Sequence, residues 1–190
     1  MSRQAGKEVA LGVTGSIAAY KSAQIASDLR KRDVEVSVVM TQNALRFITP
    51  LTFETITGRP VITDLVCDPS QRTAEHIALA DRCGALVIAP ATANIIGKIA
   101  NGIADDVLST TAMSFPGPIV LAPAMNTLMW KNEIVQQNIE ALQAIGCVLV
   151  GPEEGRLADG KTGIGRMAGV SRIVDLVAQV LESGPPRSDT

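Results

Sequence analysis

A chain of 190 residues that is 46% hydrophobic and 19% charged has the composition of a globular domain that can bury a core. Its net charge of −2 argues against a nucleic-acid partner, which needs a basic face, and its 3% aromatic content offers no stacking platform for bases. No apolar run reaches the ~20 residues of a membrane span. Cys67, Cys83 and Cys147 are too scattered for a disulfide framework, so we expect a protein of the reducing cytoplasm.

The first half of the chain alternates between strand and helix patterns. Apolar and β-branched residues predict strands at Glu8–Val13 and Val34–Met40, and apolar residues at helical spacing predict a helix at Ser16–Lys31. These three elements have the length of a βαβ unit. A short helix is predicted at Pro50–Thr57, and the polar stretch Asp68–Glu75 is predicted to be a loop.

The second half continues the alternation. In chain order its predicted elements are a strand at Ala85–Ala89, helices at Ala93–Ile99 and Asp106–Ala112, a strand at Pro118–Ala122, a helix at Asn132–Ile145, a short strand at Cys147–Val150 and a final helix at Val170–Leu181. The glycine-rich stretch Gly151–Gly169 is predicted to be a loop, and residues 183–190 a disordered tail.

This order predicts an α/β fold with a doubly wound parallel sheet, Rossmann-like or flavodoxin-like, in a single domain over residues 1–182. Ligands of such sheets bind beyond the carboxyl ends of the strands, so the loops after the strands are the candidate site. The first of these loops is Thr14-Gly15-Ser16. Gly15 would let the backbone approach a phosphate, and Ser16 could donate to that phosphate or simply cap the next helix.

Two later loops carry polar side chains in similar positions. Thr92 and Asn94 follow the third strand among small residues, where they could hydrogen-bond a flat ligand or cap a helix. Asn126 follows the fourth strand, although the methionines and tryptophan beside it also suit core packing. His76 is the only histidine, and such a residue is more often structural than catalytic. No metal-binding spacing is present, so we expect no metal site.

Together these segments resemble the homo-oligomeric flavin-containing cysteine decarboxylases, most closely the phosphopantothenoylcysteine decarboxylases of coenzyme A synthesis. The resemblance covers nearly the whole chain in the right order. It is carried by Thr14–Lys21, Glu75–Ile77, Pro90–Asn94, Gly97–Gly102, Pro123–Asn126 and Gly163–Met167.

The resemblance implies that the chain binds FMN and a small thiol substrate. It assigns the cofactor to Gly15, Ser16, Ile17, Thr41, Asn43, Phe47, Thr92, Ala93, Asn94 and Ala124. It assigns catalysis to His76 and Asn126, and assigns substrate contacts to Asn126, Ala158, Gly160 and Met167 within or facing a clamp that closes over the substrate. It also implies a trimer or a dodecamer of trimers, and a separate phosphopantothenate–cysteine ligase as a possible partner.

The clamp departs from the family pattern at one position. Where the coenzyme A enzymes carry a proton-donating cysteine, this chain has Asp159 in the sequence Ala158-Asp159-Gly160. Asp159 could replace the cysteine as the acid, or it could be a turn residue, since Asp-Gly pairs suit tight turns. Related decarboxylases that act on the C-terminal cysteine of a peptide also lack this cysteine and stop at an ene-thiol. Two further alternatives are a flavin prenyltransferase, which the motifs at Thr14–Lys21 and Asn126 argue against, and a non-catalytic flavin-binding protein, which the presence of both His76 and Asn126 argues against.

Overall fold

In a computed structural model, which describes residues 8–65, 75–158 and 160–183, five parallel strands form one sheet in the order β2-β1-β3-β4-β5. This confirms the predicted doubly wound fold. The strands are β1 (Glu8–Val13), β2 (Glu35–Met40), β3 (Ala85–Ala91), β4 (Ile119–Pro123) and β5 (Val148–Leu149). The pairing register is continuous between β1 and β2, where Val13 lies opposite Met40.

Helices cover both faces of the sheet. They are α1 (Tyr20–Arg30), α2 (Pro50–Thr57), α3 (Glu75–Arg82), α4 (Ala93–Ala100), α5 (Val107–Ser114), α6 (Thr127–Trp130), α7 (Glu133–Ala144) and α8 (Val170–Ser183). Because successive side chains of a strand point to opposite faces, Val9 and Leu11 belong to the core under α1, α2 and α8, whereas Ala10 belongs to the core under α3, α4, α5 and α7. None of the helices in the described ranges combines the length and apolar character that crossing a membrane requires.

Several element boundaries differ from the sequence prediction. The predicted helix at Ser16–Lys31 begins as a 3₁₀ turn, Ile17–Ala19, before α1. The short helices α3 and α6 were not predicted, and α8 extends to Ser183. The loop predicted at Asp68–Glu75 lies outside the described residues except for its last residue, which begins α3, and residues 184–190 of the predicted tail also lie outside them.

The prediction of a loop throughout Gly151–Gly169 is wrong. Two antiparallel strands, β6 (Glu153–Arg156) and β7 (Thr162–Arg166), form a separate two-stranded ribbon here, which we call the hairpin. Glycine is depleted in strands, so the composition concealed the ribbon. The hairpin also docks on the loop after β4, where Met125 N–H donates to the carbonyl oxygen of Gly165 at 3.0 Å.

A part-buried carboxylate joins three elements at the opposite end of the sheet. Glu8 Oε1 accepts hydrogen bonds from Ser37 Oγ at 2.8 Å, Arg59 Nη1 at 2.6 Å and Arg82 Nε at 2.7 Å. Burial of Glu8 acts to raise its pKa, but the hydrogen bonds from Ser37 and Arg82 and the two positive charges outweigh it and lower the pKa below the usual 4.5. Stability from a carboxylate with a lowered pKa is present above the unfolded-state pKa and is lost as the pH falls through the folded-state pKa.

Glu8→Gln is therefore expected to lower the free energy of unfolding by about 1–3 kcal/mol at pH 7, because two arginines lose their shared anion. The difference from the wild type should begin to shrink as the pH falls below the ordinary glutamate pKa of 4.5, where the unfolded chain takes up the proton, and should continue to shrink as the pH falls through the lower folded-state pKa. Urea unfolding at pH 7 and at pH 3 measures both values. Glu35→Gln is the matched control, since Glu35 pairs with Arg30 and Arg59 at a more exposed position and should lose less than about 1 kcal/mol. An equal loss in the two variants, or a gap that does not narrow between pH 7 and pH 3, would contradict this account.

Candidate functional site

The candidate site lies where the strand order reverses. The chain passes from β1 outward to β2 and then returns across β1 to form β3, so the loops after β1 and β3 diverge to opposite faces of the sheet. Such a switch point leaves a crevice at the carboxyl edge of the sheet. Two adjoining cavities open at this edge, and they share Ser16, Ala124 and Met125 in their walls.

The first cavity has a volume of about 550 Å³ and lies between the loops that follow β1, β2, β3 and β4. Eight of the ten predicted cofactor residues line it, namely Gly15, Ser16, Thr41, Asn43, Thr92, Ala93, Asn94 and Ala124. Of the other two, Ile17 lines the second cavity instead, and Phe47 is half exposed and contributes to neither wall. The parallel sheet therefore brings together, at the carboxyl ends of its strands, side chains that lie far apart in the sequence.

Gly15 allows two of these loops to touch. A Cβ atom added to Gly15 would lie 2.6 Å from Asn43 Cβ and 3.1 Å from the Asn43 carbonyl carbon, closer than such atoms approach one another. Thr14, the residue before Gly15, connects this loop to the neighbouring strand β3, since its buried hydroxyl donates to the Pro90 carbonyl oxygen at 2.7 Å. The loop after β1 is thus in contact with the loop after β2 at Gly15 and is hydrogen-bonded to β3 at Thr14.

Ser16 caps the helical turn that follows it, which is one of the two roles that the sequence predicts for it. Its Oγ accepts a hydrogen bond from Ala18 N–H at 3.2 Å at the start of the 3₁₀ turn. The cap is confirmed, whereas a contact between Ser16 and a phosphate stays a prediction. Thr92 is also an N-cap residue, that of α4, and makes no side-chain cap bond there.

A charged cluster on the wall of the first cavity was not predicted. Lys98 Nζ lies 2.6 Å from Asp105 Oδ1 and 2.6 Å from Asp106 Oδ2. Burial acts to lower the pKa of Lys98, but the hydrogen bonds to the two carboxylates outweigh it and raise the pKa. Asp106 also caps α5 by accepting from Leu108 N–H and Ser109 N–H. The Asp106–Ser109 pair at the start of a predicted helix was a signal for this cap, although it gave no sign of Lys98.

The second cavity has a volume of about 540 Å³ and lies between the start of α1, the loop after β4 and the hairpin. Three of the four predicted substrate residues line it, Asn126, Ala158 and Met167, and the fourth, Gly160, is exposed outside it. Met167 is 1% exposed and packs into the core, so it supports the cavity floor. Lys21, Arg156 and Arg166 supply positive charge to the walls.

The hairpin is fastened to the loop that carries Asn126. The Thr127 hydroxyl donates to the Ile164 carbonyl oxygen at 2.7 Å, beside the bond from Met125 N–H to Gly165. Gly165 has a φ of +140°, and a Cβ there would collide with the Met125 carbonyl oxygen. A Cβ on Gly163 would collide with the Thr127 hydroxyl. The two glycines of this motif therefore permit the close contact that makes the hairpin a wall of the second cavity.

Asn126 is held by its own helix. Its Oδ1 accepts from Leu128 N–H at 2.8 Å as the N-cap of α6, which fixes the amide in the cavity wall. The backbone of His76 lies in α3, but its side chain lies outside the described part of the structure, as does Asp159 altogether. Their predicted roles stay predictions.

Comparisons with known proteins agree with this geometry. A family model described as Flavoprotein matches residues 2–182. The coenzyme A biosynthesis bifunctional protein CoaBC of Vibrio vulnificus is 40% identical over 185 residues, which cover 97% of this chain and 46% of that protein. The chain thus spans less than half the length of this curated relative.

Two solved structures match over nearly their whole length. A mutant of PPC decarboxylase complexed with pantothenoylaminoethenethiol has a TM-score of 0.81 and 32% identity, covering 92% of this chain and 98% of that one. The FMN-dependent cysteine decarboxylase SpaF has a TM-score of 0.79 and 32% identity, covering 94% and 97%. The resemblance seen in the sequence is confirmed: this chain belongs to the Flavoprotein family, as a relative of the FMN-dependent cysteine decarboxylases.

Proposed function

We propose that this chain binds FMN in the first cavity and decarboxylates phosphopantothenoylcysteine in the second, giving phosphopantetheine for coenzyme A synthesis. The observation that carries the proposal is the shared wall of Ser16, Ala124 and Met125. A cofactor in the first cavity and a thiol substrate in the second would lie next to each other beside these shared residues. Both volumes fall within the ~300–1,000 Å³ typical of small-molecule sites.

The residues of the first cavity fit FMN. Gly15 lets the loops after β1 and β2 close against each other at the edge of the cavity, and the small side chains of Ala93 and Ala124 leave room for a flat ring. Thr92 and Asn94 would offer hydrogen bonds to that ring, and the turn around Ser16, at the start of a helix, would lie beside the phosphate. Bound FMN would supply the two-electron oxidation of the cysteine Cβ–S unit to a thioaldehyde, which provides an electron sink for loss of CO₂.

The protein's own groups would hold the substrate for this step. Asn126, fixed by its cap to α6, would orient the cysteine carboxylate without placing a charge beside it. The hairpin, fastened at Thr127 and Met125, would keep water from the reacting thiol. His76 is proposed from the family resemblance to face the substrate during oxidation.

A second candidate function, oxidative decarboxylation of a C-terminal peptide cysteine to an ene-thiol, is favoured by one observation. In the sequence between β6 and β7, Asp159 stands where the resemblance places a proton-donating cysteine in the coenzyme A enzymes. The overall match to SpaF is also nearly as good as that to the PPC decarboxylase. The two functions give different products, a saturated thiol and an ene-thiol, which differ in mass.

The wild type is expected to convert phosphopantothenoylcysteine anaerobically to saturated phosphopantetheine, with Asp159 as the acid. In the wild type the reduced flavin would return the two electrons while Asp159 supplies the proton. Asp159→Asn should then stop at the ene-thiol, which is two hydrogen atoms lighter, with up to one equivalent formed per bound FMN, because an amide cannot supply the proton and no oxidant is present to reoxidise the flavin. Mass spectrometry of the products distinguishes the two. Asp33→Asn, at an exposed turn residue with a φ of +59°, is the matched control and should release saturated product.

Three outcomes would revise the proposal. Saturated product undiminished in Asp159→Asn would remove the proton-donor role of Asp159. An ene-thiol from the wild type would favour the peptide-type reaction, and Asp159→Cys would then be the variant that restores saturation. Absence of any CO₂ loss from a protein loaded with FMN would contradict the proposed function itself.

We also infer the setting of the enzyme from its family. A homotrimer, or a dodecamer of trimers, is supported by large apolar side chains that are exposed in one chain, among them Leu128 at 80% and Tyr20 at 62%. A cytoplasmic location fits a pathway of soluble metabolites. The relation to CoaBC supports a phosphopantothenate–cysteine ligase as the partner that supplies the substrate.

A further inference from the structure

The second cavity has an uneven distribution of charge. Three basic side chains, Lys21, Arg156 and Arg166, line it, and no acidic side chain does so among the described residues. The chain as a whole carries a net charge of −2, so this concentration of cations does not follow from composition. The rest of the lining is largely apolar, with Ile17, Leu157 and Met167 among its residues.

Among the described residues, two of these three basic side chains have no acidic partner. Arg166 pairs with Glu153, its Nη2 lying 3.3 Å from Glu153 Oε2. Within the described part of the chain, Lys21 and Arg156 make no ion pair or side-chain hydrogen bond. Lys21 lies in the first turn of α1, where a positive charge is disfavoured by the helix dipole, so its charge does not serve helix stability. Arg156 ends β6, and its partner across the hairpin is Thr162, which is neutral.

We infer that Lys21 and Arg156 form an anion subsite of the second cavity that binds the phosphomonoester end of the substrate. The inference rests on the proposed function, and it assigns the two ends of the ligand to different residues. Asn126 would hold the carboxylate at the cofactor wall, while the two cations, one on α1 and one on the hairpin, would hold the phosphate. A phosphate bridging them would also tie the hairpin to α1, since each cation belongs to a different element.

This subsite would discriminate between substrate classes. A phosphorylated small molecule presents two anionic ends, whereas a peptide ending in cysteine presents only its carboxylate at the reacting end. Ammonium and guanidinium groups form strong charge-assisted hydrogen bonds to phosphate. We expect each cation to contribute about tenfold to the affinity for the phosphorylated ligand and nothing to the affinity for its unphosphorylated counterpart.

The test compares phosphopantetheine with pantetheine, which do not turn over, by calorimetry on the FMN-loaded protein. The wild type should bind phosphopantetheine more tightly, and the preference should fall as salt rises. Lys21→Gln and Arg156→Gln should each reduce the preference about tenfold, and the double variant should abolish it, with pantetheine affinity unchanged in all. Lys131→Gln, at an exposed lysine outside both cavities, is the matched control and should keep the preference.

Decarboxylation of phosphopantothenoylcysteine is followed in parallel, so that the two proposals can fail separately. Decarboxylation by the wild type with an unchanged phosphate preference in the double variant would overturn the subsite and leave the function standing. No decarboxylation, combined with a phosphate preference that depends on Lys21 and Arg156, would overturn the function and support the subsite. A wild type that binds both ligands equally would overturn the subsite.

Discussion

Asn126→Asp is expected to lower kcat/KM for phosphopantothenoylcysteine by about a hundredfold or more, with FMN still bound. The added carboxylate would face the carboxylate of the substrate in a partly enclosed cavity, where like charges repel strongly. The fold should survive, because aspartate is as good an N-cap residue as asparagine and can still accept from Leu128 N–H. The measurement is steady-state decarboxylation together with the flavin absorbance of the purified variant.

The chain offers a closely matched control in Asn132→Asp. Asn132 is the N-cap of α7 and its Oδ1 accepts from Ile134 N–H at 3.0 Å, but it lines neither cavity. This variant makes the same chemical change at the same kind of helix position, so its activity should match the wild type. Comparable activity in Asn126→Asp would mean that the substrate carboxylate is held elsewhere.

Gly15→Ala is expected to weaken FMN binding about 10–100-fold. The new methyl group would meet Asn43 at both its Cβ and its backbone, so one of the two loops that form the first cavity must move. Overpacking of this kind typically has an effect of about 1–3 kcal/mol, which corresponds to that loss of affinity. Titration of the cofactor-free protein with FMN, followed by flavin fluorescence, measures the dissociation constant.

Gly97→Ala separates this effect from glycine replacement in general. Gly97 lies within α4, and a Cβ there would have only Asn138 Nδ2 nearby, at 3.7 Å. Alanine in a helix interior is favoured over glycine by about 1 kcal/mol, so this variant should bind FMN as the wild type does and unfold no more easily. Unchanged FMN affinity in Gly15→Ala would show that the contact with Asn43 does not shape the cofactor site.

The sheet and the position of the site were predictable because their signals are local. A strand such as β3, buried on both faces, requires an apolar run that few other elements show. Once the strands are known to be parallel, their carboxyl ends must share one edge. The sequence therefore predicts that the loops carrying Gly15, Thr92 and Asn126 converge.

The features that escaped prediction depend on contacts between distant segments. The hairpin consists largely of glycines and charged residues, and its strands form against Met125 and Thr127 rather than through their own propensity. The pairing of Lys98 with Asp105 and Asp106 depends on the turn between α4 and α5. Lys21 and Arg156 are far apart in the chain, and only the folded hairpin brings them to one cavity.

The manner in which the hairpin is anchored has a consequence for how this family can diversify. The anchors are backbone atoms of Ile164 and Gly165 on β7, whereas the tip between β6 and β7 takes no part in them. Residues at the tip are thus free to be exchanged during evolution without loss of the ribbon beneath them. An aspartate at position 159, where the related coenzyme A enzymes carry a cysteine, would then exchange one candidate acid for another while the anchors on β7 stay unchanged, so that the chemistry at this position can vary without a change of fold.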